Sequence, residues 1–273
     1  MKKSEARSQK PEGQRRRLSP LASRLSPLPF VFANFAMTAD GKTAFADHRF
    51  KPFSSRRDQE HMMELRATAD AVMSGARTVD LSPATLGTGG AKYRKQRLKR
   101  GLREHNLRVI VSGSGSIDPG AEIFKHRFSP IIILTTKRAG ESRLRKLRQL
   151  AEVKICGKSE INFRSAFRWL REKWIVKRLL CEGGGELNGS LIRAGLLNEL
   201  HLTIGPKIFG GRTAPTIADG DGFSKLADAA MFELKSSRRM GDEMFLVFTK
   251  KAAPRSTAAV KPDLPLRLSP PRH

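Results

Sequence analysis

The stretch "VKRLLCEGGGELNGSLI", residues 176–192, decides how the rest of the chain is read. An apolar run ends at Cys181 and Glu182, and three consecutive glycines follow. Apolar residues then recur at Leu187, Leu191 and Ile192, the spacing of one helix face. Glycine costs roughly 0.5–1 kcal/mol relative to alanine inside regular structure, so Gly183, Gly184 and Gly185 need a reason. Two reasons stand side by side. The glycines make a tight strand-to-helix turn, or they bare the N–H groups of a helix N-terminus to a phosphate.

Working outward, the same alternation fills the chain. "FVFANFAM" (30–37) predicts a buried strand, residues 55–69 a helix, and "DAVMSG" (70–75) a short strand stopped by glycine. A very basic helix is expected over 91–105, and near-continuous apolar strands over 107–113 and 130–136, as in a sheet covered on both faces. A helix at 140–150, a strand at 152–156 and an amphipathic helix at 160–173 lead into the strand 176–182. Beyond the glycines come a helix at 186–196, the strand "NELHLTIGPKIFGG" and a hairpin over 232–250 turning near Gly241 and Asp242. The pattern predicts a three-layer α/β fold, with a mostly parallel central sheet, helices on both faces and a C-terminal antiparallel hairpin. One domain over 29–250 accounts for it. The segments 1–28 and 251–273, with "RLSPL" twice and "RLSPP" once, are rich in proline, serine and arginine and read as disordered basic tails.

Composition narrows the function classes. The 273 residues are 39% hydrophobic, enough for one substantial core. No apolar run approaches the ~20 residues of a membrane helix. The basic N-terminus lacks an apolar segment followed by a small-residue cleavage site, and Cys156 and Cys181 sit in apolar surroundings, so a reduced, cytoplasmic chain is expected. There is no Cys-x-x-Cys pair and no His-x-Glu, which excludes a zinc deaminase site, and the six histidines show no metal-ligand spacing. The net charge is +26, of which residues 1–28 carry +6 and residues 250–273 carry +5, leaving +15 for the middle. Such a charge implies anionic partners without choosing among them.

Ligands of open parallel sheets gather at the carboxyl ends of the strands. Four strand ends here carry small or polar residues: "MTADGK", "SGART", "VSGSG" and "CEGGGELNG". Their convergence predicts a nucleotide-sized cleft, although no Walker loop is present and "GSGSID" does not fit the Gly-x-Gly-x-x-Gly fingerprint. Thr78 either binds a phosphate or caps a short helix, and Arg77 either pairs with a phosphate or is solvated. Glu182, a carboxylate ending an apolar strand, either meets a ligand or pairs with an arginine. Asp40 is either a turn residue or a proton donor. Arg66, late in its helix between Leu65 and Ala67, is expected to point towards the strand ends.

"FAMTADGKTA", "LRATADAVMSGARTV" and "CEGGGELNGSLIRAGLLNELHLTIGPKIFGG", in this order, resemble the reductase domain of bacterial riboflavin biosynthesis. That domain is the C-terminal half of a bifunctional deaminase–reductase and has a dihydrofolate-reductase-like fold. The resemblance spans roughly residues 29–250. It implies an NADPH-dependent reduction of the ribosyl group of 5-amino-6-(5-phosphoribosylamino)uracil to ribityl, a homodimer, and a separate deaminase, since nothing in this sequence matches the deaminase half. By motif, Gly184, Gly185, Glu186, Leu187, Asn188, Gly189 and Ser190 would wrap the cofactor pyrophosphate. Gly75 and Thr78, with Ala36 on the nicotinamide side, would complete the cofactor site, to which the strand end "VSGSG" adds Ser112; Arg66 and Glu182 would bind substrate, and Asp40 or water is the candidate proton donor. Two stretches depart from the family pattern: "VDLSPATLGTGG" stands where Asp-Pro-x-Leu-Thr is usual, and "HRFKPFSSR" where Ser-x-Trp-Ile is usual.

Two other readings fit the same sequence. One is reduction of another heterocycle, such as a pterin. The other is a nucleic-acid-binding protein that retains the fold, suggested by "KYRKQRLKRGLR" (92–103), with seven Lys/Arg in twelve residues. Stacking aromatics are scarce there, so that contact would be non-specific phosphate attraction.

Overall fold

The computed structural model describes residues 26–48 and 51–251; the expected tails lie almost wholly outside them. Nine strands form one sheet in the order β5-β4-β3-β2-β6-β1-β7-β9-β8. Those from β5 (Glu152–Ile155) through β4 (Ile131–Thr135), β3 (Leu107–Val111), β2 (Ala71–Gly75), β6 (Arg178–Cys181) and β1 (Phe30–Thr38) to β7 (Glu199–Gly205) pair in parallel. The hairpin of β8 (Phe232–Met240) and β9 (Glu243–Lys250) adds to β7 antiparallel, turning at Gly241 as expected.

Alternation along the strands assigns two cores. Val109 and Leu134 join Phe163, Phe167 and Leu170 of α6 (Phe163–Lys173) and Leu187 and Leu191 of α7 (Gly185–Arg193). Ile110, Ile133, Val72 and Phe32 face the other way, onto Leu65 of α1 (Arg56–Arg66), Val79 of α2 (Ala76–Leu81), Ile123 of α4 (Glu122–Lys125) and Leu147 of α5 (Glu141–Arg148). Period-two alternation thus builds both layers from the same apolar runs.

Several helices are shorter than expected because local chemistry ends them. The basic helix, expected over 91–105, is α3 (Ala91–Lys99) and stops where Gly101 takes a left-handed φ of 70°. The helix after the glycine turn stops at Arg193, before Gly195 at φ 66°. The amphipathic helix starts at Phe163 because the Asn162 side chain accepts from the Ser165 amide. The four-residue α4 has no counterpart in the expectation.

Two buried arginines brace these layers. Arg97 of α3 donates to the carbonyls of Arg66, Ala69 and Arg103, and Arg108 of β3 to those of Ile123, His126 and Ser129. Each is 1% exposed. A guanidinium, with five donors in a fixed fan, suits such carbonyl clusters. Part of the basic stretch 92–103 is therefore internal framework.

Beneath α1, the His61 ring lies 5.5 Å from that of His201 on β7. His201 Nε2 meets Glu199 Oε1 at 2.8 Å, while its Nδ1 is buried with no hydrogen-bond partner. Burial holds both imidazoles below their ordinary pKa, and for His61 the nearby His201 adds to it. The folded state therefore binds fewer protons than the unfolded chain, whose histidines titrate near pH ~6.5. Stability from this pair is present above that pH and is lost as pH falls through it towards the folded values. A melting temperature that declines between about pH 7.5 and about pH 5.5, with the decline reduced in His201→Gln, is the expected result; an identical decline in the variant would assign it elsewhere.

Candidate active site

The carboxyl ends of β1, β2, β3 and β6 open into one cleft of about 2250 Å³. That volume exceeds the ~300–1,000 Å³ typical of a single small ligand and leaves room for a dinucleotide beside a second molecule. Of the residues expected at the site, Ala36, Gly75, Thr78, Ser112, Glu182, Gly184, Gly185, Glu186, Leu187 and Ser190 line it. The structure places the other four, Asp40, Arg66, Asn188 and Gly189, elsewhere.

The glycines separate by what surrounds them. Gly183 has φ 114°, a left-handed conformation that other residues rarely adopt. A Cβ on Gly185 would sit 2.2 Å from Asp219 Oδ2, and one on Gly189 would sit 2.1 Å from the Asp219 carbonyl oxygen. These two glycines admit the 216–219 loop, which the Asp219 amide anchors on the Gly185 carbonyl. The expected cradle role of Gly189 is corrected to this close packing. Gly189→Ala should cost about 1–3 kcal/mol through overpacking, read as a melting temperature lower by several degrees. An unshifted melt would show that the loop yields freely. Asn188 is likewise turned away: it is fully buried, and its Nδ2 donates to the Ile217 carbonyl.

Gly184 and Gly75 have no such internal explanation. Gly184 has φ −78°, and a Cβ there would lie 3.5 Å from Thr78 Oγ1, an ordinary contact. A Cβ on Gly75 would be 3.7 Å from the Gly183 carbonyl oxygen and the Gly184 nitrogen. Gly75 caps α2 and Gly184 caps α7, and neither helix has a side-chain cap. The first N–H groups of a helix have no intrahelical partner and carry its positive dipole end. Two such ends meet here, joined by the Gly75 amide donating to the Gly183 carbonyl at 2.8 Å; the Gly183–Gly184 peptide is cis. This cradle fits an anionic cofactor such as a dinucleotide pyrophosphate. Arg77 pairs with Glu186 only at 3.9 Å, both well exposed, so its guanidinium is held loosely.

Arg66 and Glu182 pair with each other. Arg66 Nε lies 2.6 Å from Glu182 Oε1 and Nη2 2.5 Å from Oε2, with both side chains less than 10% exposed. Arg66 Nη1 also donates to the Gly87 carbonyl at 2.7 Å, within the stretch that departs from the family pattern. Glu182 reaches the cleft wall and Arg66 stands behind it. The expectation that the two act separately on substrate is corrected: the arginine fixes the carboxylate.

Asp40 is corrected as well. Its carboxylate accepts from the Thr38 hydroxyl and from the amides of Phe209 and Gly210, closing the loop after β1 onto the loop after β7. The Thr38 hydroxyl, followed by the Gly210 and Phe209 amides, holds its carboxyl below the usual range. A group so held is a poor proton donor. Phe209 stacks on Phe45 at 4.2 Å and meets Phe53 edge-on, so the latch and the aromatic trio hold these loops together.

Two cleft residues escaped the sequence reading. Asn34 stands alone as a polar residue within the apolar run of β1, and Asp58 lies in the first turn of α1, where Ser55 caps its amide. The lone polar residue in "FVFANFAM" was the available signal for the first. For Asp58 no sequence pattern distinguishes it from an ordinary N-terminal helix acid.

A family model described as the RibD C-terminal domain matches residues 29–246. The chain belongs to the RibD C-terminal domain family. A Methanothermobacter thermautotrophicus protein named 2,5-diamino-6-ribosylamino-4(3H)-pyrimidinone 5′-phosphate reductase is 32% identical over 223 residues, covering 82% of this chain and 99% of that protein. Among solved structures, a pyrimidine reductase-like protein of Corynebacterium diphtheriae superposes with a TM-score of 0.68 at 22% identity, over 82% of this chain and 93% of that one. A Thermotoga maritima diaminohydroxyphosphoribosylaminopyrimidine deaminase/5-amino-6-(5-phosphoribosylamino)uracil reductase superposes at 0.61 with 21% identity, over 82% of this chain and 57% of that one. The fold is thus that of RibD reductase domains, a dihydrofolate-reductase-like sheet, as the resemblance implied.

Proposed function

We propose that this RibD C-terminal domain reduces the ribosyl group of a 6-ribosylaminopyrimidine 5′-phosphate to a ribityl chain, with NADPH as reductant, in riboflavin biosynthesis. The observation that carries the reading is the pair of helix starts at Gly75 and Gly184, neither capped by a side chain, within a cleft large enough for cofactor and substrate together. Family membership and the near-complete coverage of a named reductase support it. Gly184, Ser190, Gly75 and Thr78 would hold the cofactor, with Ser112 and Ala36 towards its two ends. A reduced nicotinamide held there would supply the hydride that, with one proton, opens the cyclic ribosyl group to the ribityl chain, C1 gaining the hydride and O4 the proton. Glu182, fixed by Arg66, orients the substrate through its hydroxyl or amine donors. With Asp40 committed to the loop latch, water is the remaining candidate of the two for the balancing proton.

NADPH in preference to NADH is supported by Arg77, Ser112 and Ser114 on the cleft wall, which suit a 2′-phosphate. A homodimer is supported by β8, exposed along both faces with Leu234 uncovered. A separate deaminase partner and a cytoplasmic setting complete the proposal. Among the described residues no helix is long and apolar enough to cross a membrane.

The test is direct. Purified protein, either coenzyme and the 2-amino or 2-oxo phosphoribosylaminopyrimidine are mixed, and nicotinamide oxidation and the ribityl product are followed. Oxidation coupled to ribityl formation, faster with NADPH, is the expected result. No oxidation with either pyrimidine overturns the reading, and equal affinity for the two coenzymes removes the NADPH preference.

A further inference from the structure

The cleft holds a second unexplained feature. Asn34 is 8% and Asp58 5% exposed, both line the cleft, and Oδ1 of each is buried with no hydrogen-bond partner. Leaving a buried acceptor unpaired costs about 1–3 kcal/mol, so two in one cleft demand a reason. Both belong to the space between β1 and α1. Asn34 follows Phe32 by two residues on β1 and so faces the α1 layer, and Asp58 looks inward from the first turn of α1.

The neighbouring carboxylates are spoken for. Glu182 is matched by Arg66, and Asp219 accepts from the amide and hydroxyl of Thr216. Asp58 Oδ1 has neither kind of partner. What this wall presents to the cleft is acceptors, and acceptors complement a ligand edge made of N–H donors.

We propose that Asp58, assisted by Asn34, reads the pyrimidine base and selects the 2-amino-4-oxo form over the 2,4-dioxo form. The inference rests on the reductase reading above. A 2-aminopyrimidin-4-one carries N3–H and the C2 amino group side by side, two nearly parallel donors that match the two oxygens of a carboxylate. The second amino hydrogen is then free for Asn34 Oδ1. The 2-oxo form puts a carbonyl where that amino group was, setting acceptor against acceptor in a buried site. Its rejection therefore combines a lost charge-assisted hydrogen bond with an unpaired acceptor.

The test uses two free bases, 2,5,6-triaminopyrimidin-4-one and 5,6-diaminouracil, titrated calorimetrically into the full chain, alongside steady-state kinetics on the two phosphoribosyl substrates. The wild type should favour the amino form by about ten- to a hundredfold in both measurements. Asp58→Asn should bring both ratios close to unity while NADPH affinity is unchanged. Asn34→Ser should narrow them severalfold and serves where Asp58→Asn does not fold. A wild type that takes both forms equally, or variants that keep the wild-type ratio, would overturn the inference. Base preference without turnover on either substrate would overturn the reductase reading and leave this recognition standing.

Discussion

Replacing Arg66 with methionine is expected to destabilise the fold by about 3–5 kcal/mol, because it leaves Glu182 buried and unmatched. For a domain of this size that corresponds to a melting temperature lower by roughly ten degrees. Glu182→Gln removes the charge but keeps the shape, leaving the guanidinium anchored on the Gly87 carbonyl, and should cost less. The double variant should recover part of the Arg66→Met loss, since no charge is left without its counterpart. In kinetics, both single variants should lower kcat/KM by about ten- to a hundredfold, as a carboxylate at the cleft wall is lost or left unfixed. Additive thermal losses in the double variant would mean that the two side chains contribute independently. That result would contradict the bidentate geometry.

Gly184→Val should show the opposite pattern. The backbone at Gly184 has dihedrals open to valine, and the nearest protein atom to a new Cβ is Thr78 Oγ1 at 3.5 Å. The fold is therefore expected to persist, with an unchanged circular dichroism spectrum. The branched side chain would stand over the uncapped start of α7, where the cofactor anion belongs. Nicotinamide fluorescence should report a loss of coenzyme affinity of at least about a hundredfold, or about 3 kcal/mol. Normal NADPH binding by this variant would reduce the triple glycine to a turn. Read beside Gly189→Ala, which should lower stability through contact with the Asp219 carbonyl, the two variants separate glycine kept for a ligand from glycine kept for packing.

Much of the fold could be read directly from periodicity. Near-continuous apolar runs within 107–113 and 130–136 imply strands covered on both faces, and those strands do face two helical layers. The hairpin turn at Gly241 and the cleft at the strand ends were equally legible. What periodicity could not give was partnership. Whether Glu182 meets a ligand or an arginine depends on Arg66, 116 positions away, and on the angle at which α1 crosses the sheet. The glycines posed the same difficulty, since the letters do not tell that Gly184 opens α7 onto the cleft while Gly189 lies within α7 against Asp219. Asp40 followed suit: its carboxylate is claimed by amides 169 and 170 residues further on, a distance no local motif spans.

Arg66, Arg97 and Arg108 alter what an approaching anion encounters. Each is enclosed, and their guanidinium groups are turned towards carbonyls or a carboxylate. Their guanidinium groups are out of reach of a direct contact, so an anion can touch fewer basic side chains than a count of basic letters suggests. Lysine, a single ammonium at the end of a flexible stem, could not span the same acceptors. Exchange of arginine for lysine, tolerable on the exposed face of α5, is structurally costly at these three positions, and some of the chain's extreme basicity is accordingly a building material.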